Sequence, residues 1–138
     1  MRDRADFAGV WQVLRQITDR RAGQGGQFSG QANLTPDGPS GLRYAETGQM
    51  QIGTGPALRA TRRYLWLFDG PRVTVQFDDG RPFHHFTAMG LAAGTDHLCG
   101  ADMYRVRYDF TLWPDWTACW EVSGPRKDYR LESRYWRG

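Results

Sequence analysis

Apolar and polar residues alternate one by one through most of this chain, in short runs separated by glycine, proline or aspartate. Successive side chains of a β-strand point to opposite faces, so this alternation predicts strands with one apolar and one polar face. No run longer than one turn has the spacing of an amphipathic helix. The pattern therefore predicts an all-β protein.

The clearest of these runs is Asp102–Leu112, in which Tyr104, Val106, Tyr108 and Phe110 share one face. Short turn sequences join the runs, so consecutive strands are expected to pair as antiparallel neighbours. A meander of this length has two exposed edges unless it closes on itself. We therefore expect an up-and-down β-barrel of about eight to ten strands, with the last strand closing against the first.

Length and composition fit one folded domain. A chain of 138 residues suffices for a single core over residues 1–138. Six Trp, six Tyr and seven Phe are too many large apolar residues for a disordered chain. The net charge is only +3, and arginines alternate with acidic residues, which argues against a nucleic-acid partner. We find no signal peptide and no membrane-length apolar run, so we expect a cytoplasmic protein with no membrane partner.

The histidines and cysteines do not form a recognisable metal motif. His84 and His85 are adjacent on a strand and face opposite sides, so at most one of them shares a cavity with His97. Zinc sites generally use three or four protein ligands, and we expect neither a metal nor a cofactor. A single histidine as an axial haem ligand, as in nitrobindin barrels, is left open. Cys99 and Cys119 are expected to be buried thiols without a disulfide.

The Gly9-x-Trp11 motif at the head of the first strand resembles the start of lipocalins and other calycin barrels, in which this tryptophan closes the barrel floor. Residues 79–86 (DGRPFHHF), 96–108 and 123–135 resemble an uncharacterised family of small bacterial and fungal proteins, a domain of unknown function. The resemblance implies a lipocalin-like (calycin) barrel and suggests a ligand cavity. It implies no established activity.

Several arginines are candidates for binding or for ion pairing. Arg126 follows a tight turn, and its planar guanidinium suits a carboxylate or phosphate at a barrel mouth. Alternatively, Arg126 and Asp128 pair with neighbours and fix the last strand. Arg15, Arg63 and Arg105 lie on strands among apolar residues, and any of them that points inward needs an anionic partner.

These features favour a binding protein. The serines lack a nucleophile-elbow motif and no glycine-rich phosphate loop is present, which argues against hydrolases and nucleotide-binding proteins. We expect the lumen to bind a small, partly apolar, anionic molecule. Two alternatives stay open: a cofactor-free isomerase or lyase with a His, Tyr or Asp acid–base site, and a structural or partner-binding module. The expected ligand contacts are Arg126, His85, Trp66, Tyr104, Tyr108 and His97.

Overall fold

The computed structural model describes residues 2–138, which form one short helix and eleven strands. The helix has four residues, and no helix in this range is long enough to cross a membrane. The elements are α1 (Arg4–Phe7), β1 (Gly9–Asp19), β2 (Gln24–Asp37), β3 (Gly41–Ile52), β4 (Leu58–Asp69), β5 (Arg72–Phe77), β6 (Pro82–Thr87), β7 (Leu91–Ala93), β8 (His97–Cys99), β9 (Asp102–Asp109), β10 (Trp116–Gly124) and β11 (Lys127–Trp136).

The strands form one antiparallel sheet in the order β6-β5-β4-β3-β2-β1-β11-β10-β9-β7, with β8 paired to β9. The first and last long strands are neighbours, and Arg15 on β1 lies opposite Ser133 on β11. The predicted antiparallel barrel is thus confirmed. The short strands β7 and β8, with three residues each, bring the strand count to eleven.

The barrel closes incompletely between β6 and β7, which share no continuous ladder. Two hydrogen bonds bridge this seam: the backbone N–H of Thr95 donates to the carbonyl oxygen of His85 at 3.0 Å, and the N–H of His85 donates to Oγ1 of Thr95 at 3.0 Å. The seam is therefore the weakest part of the barrel wall, because few backbone pairs hold it.

The alternation in the sequence sets which side chains face the lumen. On β1 the side chains of Trp11, Val13 and Arg15 are buried, whereas Gln12 and Leu14 between them are partly exposed. The same period of two recurs on β2, β3, β9, β10 and β11. One set of alternating residues therefore forms the lining of the barrel.

One end of the barrel, here called the closed end, is filled by aromatic rings around Phe7 of α1. The Phe7 ring is fully buried and lies 5.0 Å from Trp113, 5.4 Å from Trp66 and 5.7 Å from Trp116 between centroids, in edge-on contacts. Trp11 is also fully buried, and its Nε1–H donates to the carbonyl oxygen of Phe7 at 2.9 Å. Trp11 thus lies beside Phe7 at the closed end.

Both cysteines are free thiols, but the expectation that they are buried is wrong. Cys99 is exposed because β8 is a short strand beside the turn at Gly100. Cys119 is half-buried because it lies between Ala118 and Trp120, whose side chains occupy the inward phase of β10.

Candidate functional site

At the end opposite Phe7 the lumen is hollow. A cavity of about 320 Å³, here called the outer cavity, lies among β4, β5, β6, β8, β9, β10 and β11. This volume is at the lower end of the range typical of small-molecule sites. Its lining consists of Arg62, Tyr64, Phe77, Arg81, Phe83, Cys99, Tyr104, Trp120, Val122, Tyr129 and Leu131.

Aromatic rings form much of the wall of the outer cavity. Phe83 stacks against Phe77 at 4.6 Å and against Trp120 at 5.0 Å, with interplanar angles of 15° and 16°. Tyr104 and Tyr129 add phenol groups to this wall. Burial, followed by the nearby Tyr104, raises the pKa of Tyr129, so its hydroxyl keeps its proton at neutral pH. The wall therefore offers flat apolar faces together with a few hydrogen-bonding groups.

Two guanidinium groups, and no Asp or Glu among the described residues, line the outer cavity. Arg81 is paired at the rim, where its Nε lies 2.7 Å from Oδ2 of Asp79. The Nε of Arg62 lies 4.0 Å from Oε2 of Glu46, and 41% of the Arg62 side chain is exposed. The cavity thus has a positive lining, and Arg62 is its less tightly paired cation.

The negative charge of Glu46 does little to neutralise Arg62, because Glu46 already has a closer partner. Nη1 and Nη2 of Arg15 donate to its two carboxylate oxygens at 2.7 and 2.8 Å, and both side chains are almost completely buried. Burial opposes ionisation of Glu46, but the hydrogen bond and charge of Arg15 outweigh it and lower the pKa of this carboxyl. Burial likewise opposes the charge of Arg15, and Glu46 raises the pKa of that guanidinium.

Three hydroxyl groups complete the hydrogen bonds of this ion pair. Nε of Arg15 donates to Oγ of Ser133 at 2.6 Å, and the Tyr44 hydroxyl donates to Oε1 of Glu46 at 2.5 Å. The hydroxyls of Tyr44 and Tyr135 are 2.8 Å apart. Burial raises the pKa of both phenols, so they remain hydrogen-bond donors. A buried pair with this many partners is a fixed part of the lumen.

A second, much smaller void adjoins this network. This inner cavity has a volume of about 40 Å³, and His84, Tyr108, Trp116 and Tyr135 are among its lining residues. Nε2 of His84 and the hydroxyl of Tyr108 are 2.8 Å apart. Burial lowers the pKa of His84 to about 3, and the nearby His97 and His85 lower it further by smaller amounts. The imidazole is therefore neutral at physiological pH.

A third void of about 230 Å³, the side cavity, is lined by residues of β1, β2, β3 and β4 that include Phe28 and Met50. Arg62 borders all three cavities, and Glu46 borders the inner and side cavities. The Arg62 side chain thus lies where the three voids meet. A ligand in any of them would be close to its charge.

Four of the six residues expected to contact a ligand lie in or beside the lumen. Trp66 and Tyr108 line the inner cavity, and Tyr104 lines the outer cavity. The ring of His97 packs edge-on against Phe83 at 5.2 Å, behind the aromatic wall. Tyr104 and His97 thus lie at the open end, whereas Trp66 extends from the inner cavity to the Phe7 ring of the closed end.

Arg126 lies elsewhere. It is exposed in the turn between β10 and β11 and does not line the outer, inner or side cavity. The neighbouring residues form ion pairs: Nζ of Lys127 lies 3.1 Å from Asp102, and Asp128 lies 2.9 Å from Arg20. Asp128 thus pairs as the alternative expected, whereas Arg126 takes part in neither of these two ion pairs.

His85 also lies outside these cavities, and His84 takes the inward position. The register between β5 and β6 shifts at Gln76, so Phe83 is an extra residue and both Phe83 and His84 are buried. The residues FHHF allow either histidine to be in phase with a phenylalanine. His84 pairs with Val75 in regular register and is in phase with Phe86, while the bulge adds Phe83 to the buried side. Strict alternation does not reveal such a bulge.

The sequence carried a signal for two further site residues. Arg62 is in phase with Tyr64 and Trp66, and Glu46 is in phase with Leu42 and Tyr44. A charged residue on the apolar face of a strand indicates a charge directed into the lumen. Glu46 is the partner that inward-facing Arg15 requires, whereas Arg63 and Arg105 are exposed.

The lumen does not supply a metal site among residues 2–138, where no three His, Cys, Asp or Glu side chains are close enough to ligate one ion. The inner cavity beside His84, at about 40 Å³, has no room for a porphyrin.

Fold and site together define a β-barrel that is packed at one end and hollow, aromatic and positively charged at the other. The profile of DUF6314, a family of unknown function, matches residues 7–137, and the chain belongs to this family. No curated protein matches the sequence significantly.

Solved structures with the same fold include an S-type phycobiliprotein lyase from Guillardia theta, with a TM-score of 0.69 and 10% identity, covering 98% of this chain and 90% of that one. A protein of unknown function from the DUF3598 family of Nostoc punctiforme has a TM-score of 0.64 and 10% identity. The match covers 98% of this chain, and this chain spans about half (48%) of the Nostoc punctiforme protein. At these identities the likeness shows the shared barrel.

Proposed function

We propose that this protein binds a small, partly aromatic anion in the outer cavity, with the anionic group at Arg62. The apolar part of the ligand lies against the stacked rings of Phe77, Phe83 and Trp120. Hydroxyls of Tyr104 and Tyr129 are available for its remaining polar groups.

One observation carries the proposal: an aromatic cavity of about 320 Å³ is lined by two arginines and by no described carboxylate. A guanidinium in a partly dry site gains more from an anion than it does in water, because the local dielectric is low. Glu46 does not cancel this charge, since Arg15 neutralises it through two hydrogen bonds. The lumen therefore retains the positive charge of Arg62.

The proposal is tested with two fluorescent probes that differ by one charged group. 8-Anilinonaphthalene-1-sulfonate carries a sulfonate, and N-phenyl-1-naphthylamine has similar rings without it. Titration of the protein with each probe gives the contribution of the anion. We expect both probes to bind with one-to-one stoichiometry and the sulfonate to bind more tightly.

Variants of two adjacent arginines locate the effect. Arg62→Gln is expected to weaken binding of the sulfonate about tenfold, because it removes a charge-assisted hydrogen bond. It should change binding of the neutral amine less than about twofold. Arg63→Gln removes the same charge from the outer face of β4 and should leave both affinities unchanged. Failure of both probes to bind, or equal losses in the two variants, would refute the proposal.

Cys99 provides an independent reporter because it lines the outer cavity, whereas Cys119 does not. Bound 8-anilinonaphthalene-1-sulfonate should slow alkylation of Cys99 by iodoacetamide and leave alkylation of Cys119 unchanged. Peptide mass spectrometry measures both rates in one sample. Equal protection of the two thiols would place the probe outside the outer cavity.

The acid–base alternative has the residues but not the titration properties that it needs. His84, Tyr108 and Glu46 lie around the inner cavity. A general acid or base works best with a pKa near the operating pH, whereas burial lowers the pKa of His84 to about 3 and raises that of Tyr108 well above its usual value. These pKa shifts favour a fixed hydrogen-bonding lining over proton transfer, and they therefore favour the binding function over the acid–base one.

The partner-binding alternative has weaker support on the outer surface. The most exposed large apolar side chains in the described range are aliphatic, with Leu91 at 78% and Leu112 at 77%. Of the partly exposed rings, Phe77, Tyr104 and Trp120 line the outer cavity, whereas Trp136 lies on the outer face. The observed distribution of rings thus favours a ligand in the lumen.

A further inference from the structure

Two residues that line the inner cavity carry the unpaired buried polar atoms of the described core. Among residues 2–138, the buried side-chain atoms without a hydrogen-bond partner are Nδ1 of His84 and Nε1 of Trp116. Both residues line the same void of about 40 Å³. The His84 side chain belongs to a residue that is 6% exposed, and Trp116 is 1% exposed, so bulk water does not reach these atoms.

An unpaired polar group in a protein core is unfavourable, and buried groups of this kind are normally satisfied by the protein or by an ordered water. A void needs only about 10–15 Å³ to hold one water molecule. The inner cavity exceeds that volume and is bordered by polar side chains, whereas cavities that stay dry are apolar. The two unpaired nitrogens and the void therefore point to one occupant.

The chemistry of the lining selects the occupant. Nε1 of Trp116 is a donor only and needs an acceptor, while Nδ1 of a neutral imidazole is either a donor or an acceptor according to its tautomer. A hydroxyl oxygen satisfies both nitrogens in either case. Arg15 and Glu46 also line the void and already neutralise each other, so this pair leaves no free counter-charge for an ion.

We propose that the inner cavity is a binding site for one neutral hydroxyl oxygen, held by Nε1–H of Trp116 and by Nδ1 of His84. A resident water and a hydroxyl group of the lumen ligand present this same chemistry. The site itself does not depend on the proposed function; only its occupation by a ligand hydroxyl does. If a ligand hydroxyl occupies the site, the ligand of the lumen is a hydroxylated aromatic anion.

The first measurement is a high-resolution crystal structure of the free protein, combined with a nuclear magnetic resonance measurement of magnetisation transfer from water to Hε1 of Trp116. We expect one oxygen within hydrogen-bond distance of both nitrogens and a cross-peak between Hε1 and water. A dry void without this cross-peak, in the free protein and in complexes with both probes below, would overturn the proposal.

The second measurement identifies the source of the oxygen with two further probes, naphthalene-2-sulfonate and 6-hydroxynaphthalene-2-sulfonate. If the ligand supplies the hydroxyl, the second probe binds about fivefold more tightly and its oxygen replaces the water. His84→Phe should abolish this preference, whereas the control His85→Phe should retain it. Equal affinities with the water still in place support the site with water as its occupant.

The two proposals fail in different ways. If neither naphthalene sulfonate binds, the proposed function of the outer cavity is refuted, and the structure of the free protein still decides whether the inner cavity holds an oxygen. If the probes bind but the inner cavity is dry in every structure, the hydroxyl site is refuted and the outer cavity remains a binding site.

Discussion

The two ends of this barrel are built from the same kinds of residue and differ in what occupies the centre. At the closed end Phe7, Trp11 and Trp116 are at most 1% exposed, and the Phe7 ring fills the space between strands. At the open end Tyr104 and Trp120 are only partly buried, and they surround a cavity of about 320 Å³. The difference arises because α1 inserts a side chain at one end.

This comparison teaches that aromatic content alone does not distinguish a core from a pocket. Both ends are rich in aromatic rings, but only at the closed end are the rings fully buried, so only there does their complete burial stabilise the fold. We therefore expect the closed end to determine the free energy of unfolding and the open end to determine ligand affinity. The buried network of Arg15 and Glu46 lies between the two.

The strongest test of the comparison is Phe7→Ala at the closed end. Loss of a fully buried phenylalanine should reduce the free energy of unfolding by about 3–5 kcal/mol, because transfer energy and packing are both lost. Urea denaturation followed by tryptophan fluorescence measures this change. Leu112→Ala is the control, since this leucine is 77% exposed and should cost less than about 0.5 kcal/mol. A loss below about 1 kcal/mol for Phe7→Ala would contradict a packed closed end.

The next largest effect is expected in the buried ion pair. Glu46→Leu leaves the Arg15 charge buried without its main partner and should cost about 3 kcal/mol. The double variant Arg15→Met, Glu46→Leu should recover most of this loss, because it removes both charges. Urea unfolding of the three proteins measures the coupling. A double variant no more stable than Glu46→Leu would show that the cost comes from packing.

The pH dependence of stability should report on His84. Its pKa is lowered by burial from 6.5 to about 3, so between these values the unfolded chain binds a proton that the folded protein does not. Stability should therefore fall as the pH falls below 6.5, by about 1.4 kcal/mol per pH unit and about 2 kcal/mol by pH 5.

Chemical denaturation at several pH values measures this slope. His84→Phe should flatten it, whereas His85→Phe should retain it. The range above pH 5 is chosen because the lowered pKa of Glu46 places its own contribution at more acidic pH. An unchanged slope in His84→Phe would contradict the assignment.

The smallest effect on stability is expected for Arg62→Gln at the open end. Its contact with Glu46 is long, at 4.0 Å, and partly exposed, so the free energy of unfolding should change by less than about 0.5 kcal/mol. The same variant weakens binding of the sulfonate probe, as described above. Arg15→Gln is the contrasting variant in the same lumen and should destabilise the protein. Equal destabilisation by the two would remove the distinction between them.

Much of the fold follows from the period of two. The faces of Trp11, Val13 and Arg15 on β1, and of Leu42 and Tyr44 on β3, were readable because each strand buries one alternating set. Pairing of the last strand with the first also followed, since an open meander leaves unpaired edges. These features depend on local pattern and on closure, and both are present in a single sequence.

The site was predicted less completely because it depends on contacts across the lumen. Arg15 and Glu46 belong to strands separated by β2, so their ion pair depends on the curvature of the sheet. The inward position of His84 was ambiguous because a bulge at Phe83 buries both phenylalanines that flank the two histidines. Arg126 looked suitable by chemistry, but its turn places it on the outside. Local alternation contains none of this information.

The pairing of β1 with β11 has a consequence for how the protein is made. Arg15 and Ser133 are hydrogen-bonded neighbours separated by 118 residues of chain. During synthesis one edge of β1 therefore stays unpaired until β11, more than 100 residues later, has left the ribosome. Closure at this long sequence separation favours slow folding, and the unpaired edge of β1 can pair with other chains until β11 covers it.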